Sequence, residues 1–511
     1  MTQETYVLGI DSGTSSTKAI VWDLNGQIIS SARYPMSYFQ PMAGWAEQNA
    51  EWWWESTIKA IRESICSVDP ARIVAVGLSW QRETWVPLGD DGKPVRAAML
   101  WMDARGEEEI ADLRSLFGER FSDVTGKPLD VTPSIFKIVW LRKHEPALFA
   151  GISMVLDVGA YLTRALTGEI RTCSAGSDTM GLMDMRKRDW SSELVEYAGL
   201  TVDQLPELVD PGERLGTISA AGAQATGLLE GTPLIAGGGD GQCSAIGAGV
   251  LDSDTYGMSL GTGLSMNVHM PDYVYNRAFR TLIGCLPNSY LAEVNTRACS
   301  LIIQWFVREF ERVDSNLCEW LDVTVEDVLD LQMKKIPPGS DGLLTLPYWR
   351  GAMMPHNKPL VRGVTLGWSD YHTKAHFYRS LLEGLAFEFR QKLEAMEMVL
   401  AQPCNIIHIS GGGSQSREWC QIISDITHRR VSVTASAETT CLGAAMLAAT
   451  SVGAYSTIRD AARAMTATGE YIVPLERNIL VYDKIYNKVY VHLLPTLEDT
   501  LVELKRITAL Q

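Results

Sequence analysis

Tyr6-Val7-Leu8-Gly9-Ile10-Asp11-Ser12-Gly13-Thr14-Ser15-Ser16-Thr17-Lys18-Ala19-Ile20-Val21-Trp22-Asp23 is the stretch that decides the fold. Its apolar run Tyr6–Ile10 ends in a polar, glycine-containing turn, and a second apolar run, Lys18–Asp23, follows at once. Short runs rich in β-branched and aromatic residues, bounded by turn residues, are strands. Asn25-Gly26 then supplies the pair that favours a two-residue hairpin turn, which makes Ile28–Ala32 a third strand. The chain therefore opens as an antiparallel meander with a hydroxyl-rich turn at the end of its first strand.

Helices enter next. Ile58, Ile61 and Ile65 recur at three and four and mark one apolar helical face. Ile73–Leu78 reads as a short buried strand running into Ser79-Trp80-Gln81-Arg82-Glu83-Thr84. Such alternation indicates an α/β domain, a sheet with helices packed on it. The second half repeats the theme: Tyr256–Leu260, the turn Gly261-Thr262-Gly263, then Leu264–Val268. A long helix carries Tyr378, Leu382, Leu385, Phe389, Leu393, Met396 and Leu400, and the strand Ile406–Ile409 ends in Ser410-Gly411-Gly412-Gly413-Ser414. The halves read as variants of one architecture with a boundary near Val250–Asp254, giving domains 1–252 and 253–511. At roughly 100–200 residues per domain, a chain of 511 residues is consistent with that division.

Charge and cysteine usage exclude several partners. Lys+Arg 45 against Asp+Glu 61 gives 45 − 61 = −16, the wrong sign for a nucleic-acid surface. It does not argue against a small phosphate-bearing ligand, which backbone N–H groups bind without lysines. Nine cysteines without a CxxC pair read as reduced thiols of a cytoplasmic protein. Met1-Thr2-Gln3-Glu4-Thr5 lacks the basic and apolar regions of a leader, and no apolar stretch approaches the about 18 residues of a membrane span. HExxH, Walker A and GxGxxG patterns are absent, and His372 and His376, four apart near a helix start, have no third ligand nearby. Gly257-Met258-Ser259-Leu260-Gly261 fits GxSxG, but a turn and a strand follow it, where a nucleophile elbow needs a helix.

Four Gly-rich segments each follow an apolar strand: Asp11–Thr17, Gly237–Gly241, Gly261–Gly263 and Gly411–Ser414. Glycine lets backbone approach a ligand closely, and hydroxyls add donors beside the N–H groups, which suits phosphate oxygens. Ligands of α/β folds bind where strands end. Asp11 and Asp240 each close a strand at such a turn. A carboxylate there can hold Mg²⁺ or accept a proton from a substrate hydroxyl; a turn aspartate satisfying backbone N–H groups is the other reading.

In this order the motifs resemble the FGGY family of carbohydrate kinases over almost the whole chain. Asp11–Lys18 looks like the family's first phosphate motif, and Ser259-Leu260-Gly261-Thr262 like its second. Gly238-Gly239-Asp240 matches the position of the catalytic aspartate. Leu346-Pro347-Tyr348, Pro355-His356-Asn357 and Arg362-Gly363-Val364 match a further stretch. Ser410–Ser414 resembles the adenosine loop, and Thr440–Ala445 the helix after it. The resemblance implies two ribonuclease H/actin-like domains with a catalytic cleft between them, sugar mainly on the first and ATP mainly on the second. It implies Asp240 as general base, Asp11 as the Mg²⁺ residue, and Thr14, Ser15, Ser16, Gly261, Thr262, Gly412 and Gly413 as ATP or phosphate contacts.

For the acceptor, Gln81-Arg82-Glu83-Thr84 reproduces a tetrapeptide of glycerol kinases, where Arg and Glu bind polyol hydroxyls; a surface ion pair at a strand end is the structural alternative. Gly44-Trp45-Ala46-Glu47-Gln48 with Trp52-Trp53-Trp54-Glu55 is instead similar to the segment in xylulokinases, and Leu100–Arg105, with Asp103 as a sugar contact, looks like the pentulose-kinase version. No tyrosine precedes Lys137, where glycerol kinases carry one. Thr132, Thr365 and Ser414–Arg417 depart from the family pattern. Gln81, Arg82, Glu83, Asp103 and Asp240 are the expected acceptor contacts, with D-xylulose ahead of ribulose, glycerol or a tetritol. The expected partners are that sugar or polyol and ATP, with no nucleic acid and no membrane; a homodimer stays open. An actin-like ATPase without a sugar acceptor is the alternative of another class.

Overall fold

The computed structural model describes residues 5–311, 318, 320, 322–466 and 468–509. Met1–Glu4, the start of the segment read as lacking a leader, lie outside the described residues. Among the described residues no helix is long and apolar enough to cross a membrane.

The expected meander is present. Strands β1 (Tyr6–Ser12), β2 (Ser16–Asp23) and β3 (Ile28–Pro35) pair antiparallel in that order. Val7, Leu8 and Ile10 are all buried, which is why β1 reads as a continuous apolar run. Strand β4 (Ile73–Trp80) joins β1 in parallel; of the last two strands, β5 (Arg214–Thr217) and β6 (Pro233–Gly239), β6 joins β4 in parallel and β5 closes the edge antiparallel. Helix α1 (Glu51–Ile65) buries Trp53, Ile61 and Ile65, while α2 (Ser134–His144) and α3 (Asp240–Gly247) bring side chains to the strand ends.

The second sheet has the order β9-β10-β8-β7-β11-β12-β13. Its strands are β7 (Thr255–Leu260), β8 (Leu264–Met270), β9 (Arg280–Ile283), β10 (Tyr290–Thr296), β11 (Ile406–Ser410), β12 (Arg430–Thr434) and β13 (Thr468–Ile472). β7, β8 and β10 are antiparallel neighbours, β11 and β12 continue in parallel from β7, and β13 returns antiparallel. This is the pairing scheme of β1, β2, β3, β4, β6 and β5. The repeated strand–turn–strand pattern was thus a signature of repeated topology, and β9 is an additional edge strand. Ser259, the GxSxG serine, lies within β7 opposite Ser265, so no nucleophile elbow forms.

Among the helices of the second half are α4 (Ser300–Phe310), the 27-residue α5 (Lys374–Leu400) and α6 (Thr439–Ser451). Helix α6 crosses onto the first sheet. A Cβ on Gly77 would stand 2.0 Å from the Ala444 carbonyl oxygen, and one on Gly443 would stand 2.0 Å from that of Cys243 in α3. Only glycine permits backbone contact this close. Gly443→Val should force α3 and α6 apart and cost about 1–3 kcal/mol or more. Thermal unfolding checks this; a variant that melts with the parent would show that the helices do not meet at backbone distance.

Candidate active site

The register of the first sheet sets the two carboxylates. Asp11 near the end of β1 pairs with Ser79 on β4, and Ser79 pairs with Gly238 on β6, whose last residue is followed by Asp240. Both acids therefore lie at the carboxyl ends of parallel strands, the usual ligand position. Oδ1 of Asp11 is buried without a hydrogen-bond partner. Burial, then the charge of Asp240, pushes the Asp11 carboxyl up to about 7, with Lys18 opposing and Glu438 adding to the shift. Lys18 faces Asp11 across the β1–β2 pair, and its Nζ is 2.5 Å from Glu438 Oε2 at the start of α6. An orphaned carboxylate oxygen among other acids fits a divalent cation. No three His, Cys, Asp or Glu side chains gather to hold a metal among the described residues. A cation at Asp11 would therefore complete its shell with water and phosphate oxygens, the habit of Mg²⁺.

The first glycine turn is braced from behind. The Thr14 hydroxyl donates to Gln81 Oε1 and accepts from Trp101 Nε1, each at 3.0 Å. Ser16 Oγ accepts from Arg33 Nε at 3.0 Å, while Ser15 is exposed at the tip. Gln48 donates to the Thr14 carbonyl oxygen at 3.1 Å and accepts from Gln81 and from Trp53 Nε1. Of the expected phosphate contacts, Thr14 and Ser16 thus have protein partners for their hydroxyls, and the Gly13 amide closes the turn on the Ser16 carbonyl at 3.1 Å, while Ser15 faces solvent. Gln81, expected at the acceptor, sits behind Thr14 and holds it.

The second-half turns meet each other. The carbonyls of Gly261 and Thr262 accept from Ser300 N at 3.0 Å and Cys299 N at 2.8 Å, at the head of α4. In trans peptides the following N–H groups point the opposite way. Gly411, with φ of 87°, packs against the Leu260 backbone, so Gly411–Gly413 lies beside the Gly261–Gly263 turn. A side chain at Gly412 would meet nothing within 4 Å, whereas one at Gly413 would strike the Trp419 ring.

On the acceptor side, Glu83 adopts φ of 56°, a left-handed conformation uncommon for a non-glycine residue. Its carbonyl accepts from Ser134 Oγ of α2 at 3.0 Å. This turn sends Arg82 and Glu83 toward the second half of the chain. Arg82 Nε lies 2.7 Å from Asp240 Oδ1, and its Nη1 and Nη2 lie 2.7 and 3.3 Å from the two oxygens of Glu293 on β10. Arg280 of β9 bridges Glu293 at 2.9 Å and Glu83 at 2.6 Å. Burial opposes charge throughout this network, yet Arg280 and Arg82 hold the Glu293 carboxyl well below the usual carboxylate range. Burial leaves Glu83 raised, with Arg280 and Arg82 pulling it down. Asp240 itself has 44% of its side chain exposed; Oδ1 also accepts from Gly241 N, and Oδ2 takes no hydrogen bond from the described residues.

Asp103 is the other expected contact whose valences are filled. Its oxygens accept from Ala46 N, Arg105 N, Arg105 Nε and Arg105 Nη2 at 2.6–3.0 Å, wholly buried. Arg105 in turn reaches Glu47 and lies 3.8 Å over the Trp45 ring. The Trp45–Gln48 and Leu100–Arg105 segments are therefore one interlocked wall. Glu293 and Arg280 went unremarked in the sequence, where nothing ties them to Arg82 some 200 positions away. Trp101, exposed beside Thr14, lay inside a quoted motif without being singled out. A cavity of about 820 Å³ lies elsewhere, where Gly212, Leu251, His269 and Arg459 meet, and none of the residues above lines it.

The models for the N-terminal and C-terminal domains of the FGGY family of carbohydrate kinases match residues 6–247 and 257–452. The chain belongs to this family. It is accordingly an ATP-dependent carbohydrate kinase with the ribonuclease H/actin-like fold, and the alternative of an ATPase without a sugar acceptor falls away. A xylulose kinase of Bacillus subtilis (strain 168) is 30% identical over 499 residues, covering 95% of this chain and 97% of that one. An autoinducer-2 kinase of Klebsiella pneumoniae is 27% identical, covering 92% and 89%. The crystal structure of a ligand-bound xylulose kinase from Lactobacillus acidophilus superimposes with a TM-score of 0.90 at 21% identity, over 98% of this chain and all of that one, a likeness of fold.

Proposed function

We propose that the enzyme transfers the γ-phosphoryl group of ATP to a hydroxyl of a small ketose, D-xylulose first, giving xylulose 5-phosphate. Residues 1–252 form the sugar lobe and 253–511 the nucleotide lobe in this reading, as the two family matches and the two sheets support. The observation that carries it is Asp240: one oxygen held by Arg82 and Gly241, the other open, on a carboxylate whose charge is felt at Asp11. A sugar hydroxyl attacks poorly until its proton has an acceptor, and Asp240 Oδ2 supplies one. Amides of Thr14, Ser15 and the Gly261–Gly263 turn hold phosphate oxygens from the two sides, and Gly412–Gly413 leaves room for the nucleoside. Mg²⁺ at Asp11 would neutralise charge between the β- and γ-phosphates. The kinase reaction then depends on bringing both lobes onto ATP, which also keeps water from replacing the sugar.

Xylulose is favoured because the interlocked Trp45–Gln48 and Leu100–Arg105 wall is of the pentulose-kinase kind. The glycerol-kinase-like Gln81–Thr84 turn commits both Gln81 and Arg82 largely to protein partners. ADP release should be measured with ATP and a panel of D-xylulose, ribulose, glycerol, a tetritol and autoinducer-2. D-Xylulose should give the highest kcat/KM, by about tenfold or more, the discrimination a few pocket contacts supply. A higher value for another acceptor would put that compound in its place.

A further inference from the structure

We propose that Glu293, from the lobe opposite the base, is a positioning residue that keeps Asp240 half-free for the acceptor hydroxyl. The inference rests on the reading of Asp240 as general base. Arg82 has a forked pair of Nη groups and a single Nε. Glu293 occupies the fork with both its oxygens, which leaves only Nε for Asp240 Oδ1. Guanidinium and carboxylate otherwise prefer a two-point pairing. With no carboxylate at 293, the Arg82 fork is released to take both oxygens of Asp240, and Oδ2 is then no longer open to a substrate proton.

The placement of Glu293 is rigid. It is fully buried in β10, between Asn267 on β8 and Arg280 on β9, and Arg280 gives it a second cation at 2.9 Å. The β9 edge is itself fastened to the first lobe. Buried Lys127 donates to the Thr281 carbonyl at 2.6 Å and to Asp178 at 3.0 Å, and Asp178 accepts from Ile283 N at 3.0 Å. The extra strand of the second sheet, absent from the first, thus brings Arg280 beside Glu293 of β10 and fastens that carboxylate at the acceptor site. Lobe position and the aim of the base become one variable.

Glu293→Gln, checked for folding by circular dichroism and thermal unfolding, should lower kcat about 10- to 100-fold, the effect expected when a catalytic group loses its alignment. KM for ATP should stay within about twofold, since no phosphate contact changes. Glu293→Asp, which keeps the charge on a shorter arm, should recover part of the loss and serves as the test if the Gln variant does not fold. Glu119→Gln removes an exposed pairing between the halves, to Arg277 at 2.5 Å, and should leave kcat unchanged. Parental kcat in a folded Glu293 variant would overturn the proposal, as would an equal loss in Glu119→Gln or a change confined to KM. If Asp240→Asn retains turnover, the base assignment fails instead, whatever the Glu293 variants do.

Discussion

Asp240→Asn will fold and bind ATP but turn over about 10³-fold more slowly or worse, because an amide cannot take the proton of the attacking hydroxyl. The charge balance explains why the fold should survive. Asp240, Glu293 and Glu83 face Arg82 and Arg280, which leaves one formal negative charge in excess. Removing the half-exposed member neutralises the cluster, and Arg82 keeps both oxygens of Glu293. Replacing a buried arginine would instead raise the excess to two negative charges, which is the costly case. Steady-state ADP release with saturating sugar measures the loss, and equilibrium binding of ATP shows that the site persists. A rate near the parent's would remove Asp240 from the base role and send the search to another acceptor in the cleft.

Legibility in the sequence followed the range of the interactions. Strand–turn–strand units are local, so β1–β2 and β7–β8 with their glycine turns were readable, and two copies in one chain pointed to repeated topology. The positions of Asp11 and Asp240 at strand ends were readable because each closes an apolar run beside a glycine turn. Partners at long range were not. Gln81 and Asp103 are the right types for sugar hydroxyls, yet the fold spends Gln81 on Thr14 and Asp103 on Arg105 and Ala46. Nothing short of three-dimensional neighbours distinguishes a carboxylate that meets a ligand from one that already holds an arginine. Glu293 is the converse case: an unremarkable glutamate on β10, one strand in from the edge, significant only because β9 and β10 reach the other lobe.

The asymmetry between the halves follows from the same geometry. Both sheets repeat one pairing scheme, but only the second carries the added edge strand; α6 of the second half packs on the first sheet, and α3 of the first meets β9 and β10 of the second through Ala245. Gly77 and Gly443 let that helix seat at backbone distance. Contacts made on one side of α3 by α6, and at its first residue through Arg82 to Glu293, make α3 the element that feels both lobes. Asp240, the proposed base, stands at the first turn of that helix, where parting of the lobes would turn it away from the acceptor.

Asp11→Asn should make the ligand-free protein more stable at neutral pH while costing activity on the order of 10²–10³-fold, the worth of a few kcal/mol of cation-assisted charge stabilisation. The Asp11 carboxyl is raised from the ordinary 3.8 to about 7, chiefly by burial and then by Asp240. Below about pH 4 it is protonated whether the chain is folded or not, and it costs nothing. Between about pH 4 and 7 the unfolded chain releases the proton that the folded chain retains, so stability falls as pH rises; above pH 7 the loss is complete. Its size is on the order of 2–4 kcal/mol, reduced by water on the open side of the partly exposed residue. Asparagine cannot ionise and escapes this loss. The variant should therefore melt about 2 °C or more above the parent at pH 8 and with it near pH 4. Adding Mg²⁺ and ADP should raise the parent's midpoint more at pH 8 than at pH 5, because only the ionised carboxylate favours the cation, and should shift the variant far less. A variant with parental turnover and an intact Mg²⁺-dependent shift would place the cation away from Asp11; equal melting at pH 8 would show that the buried carboxyl carries no such strain.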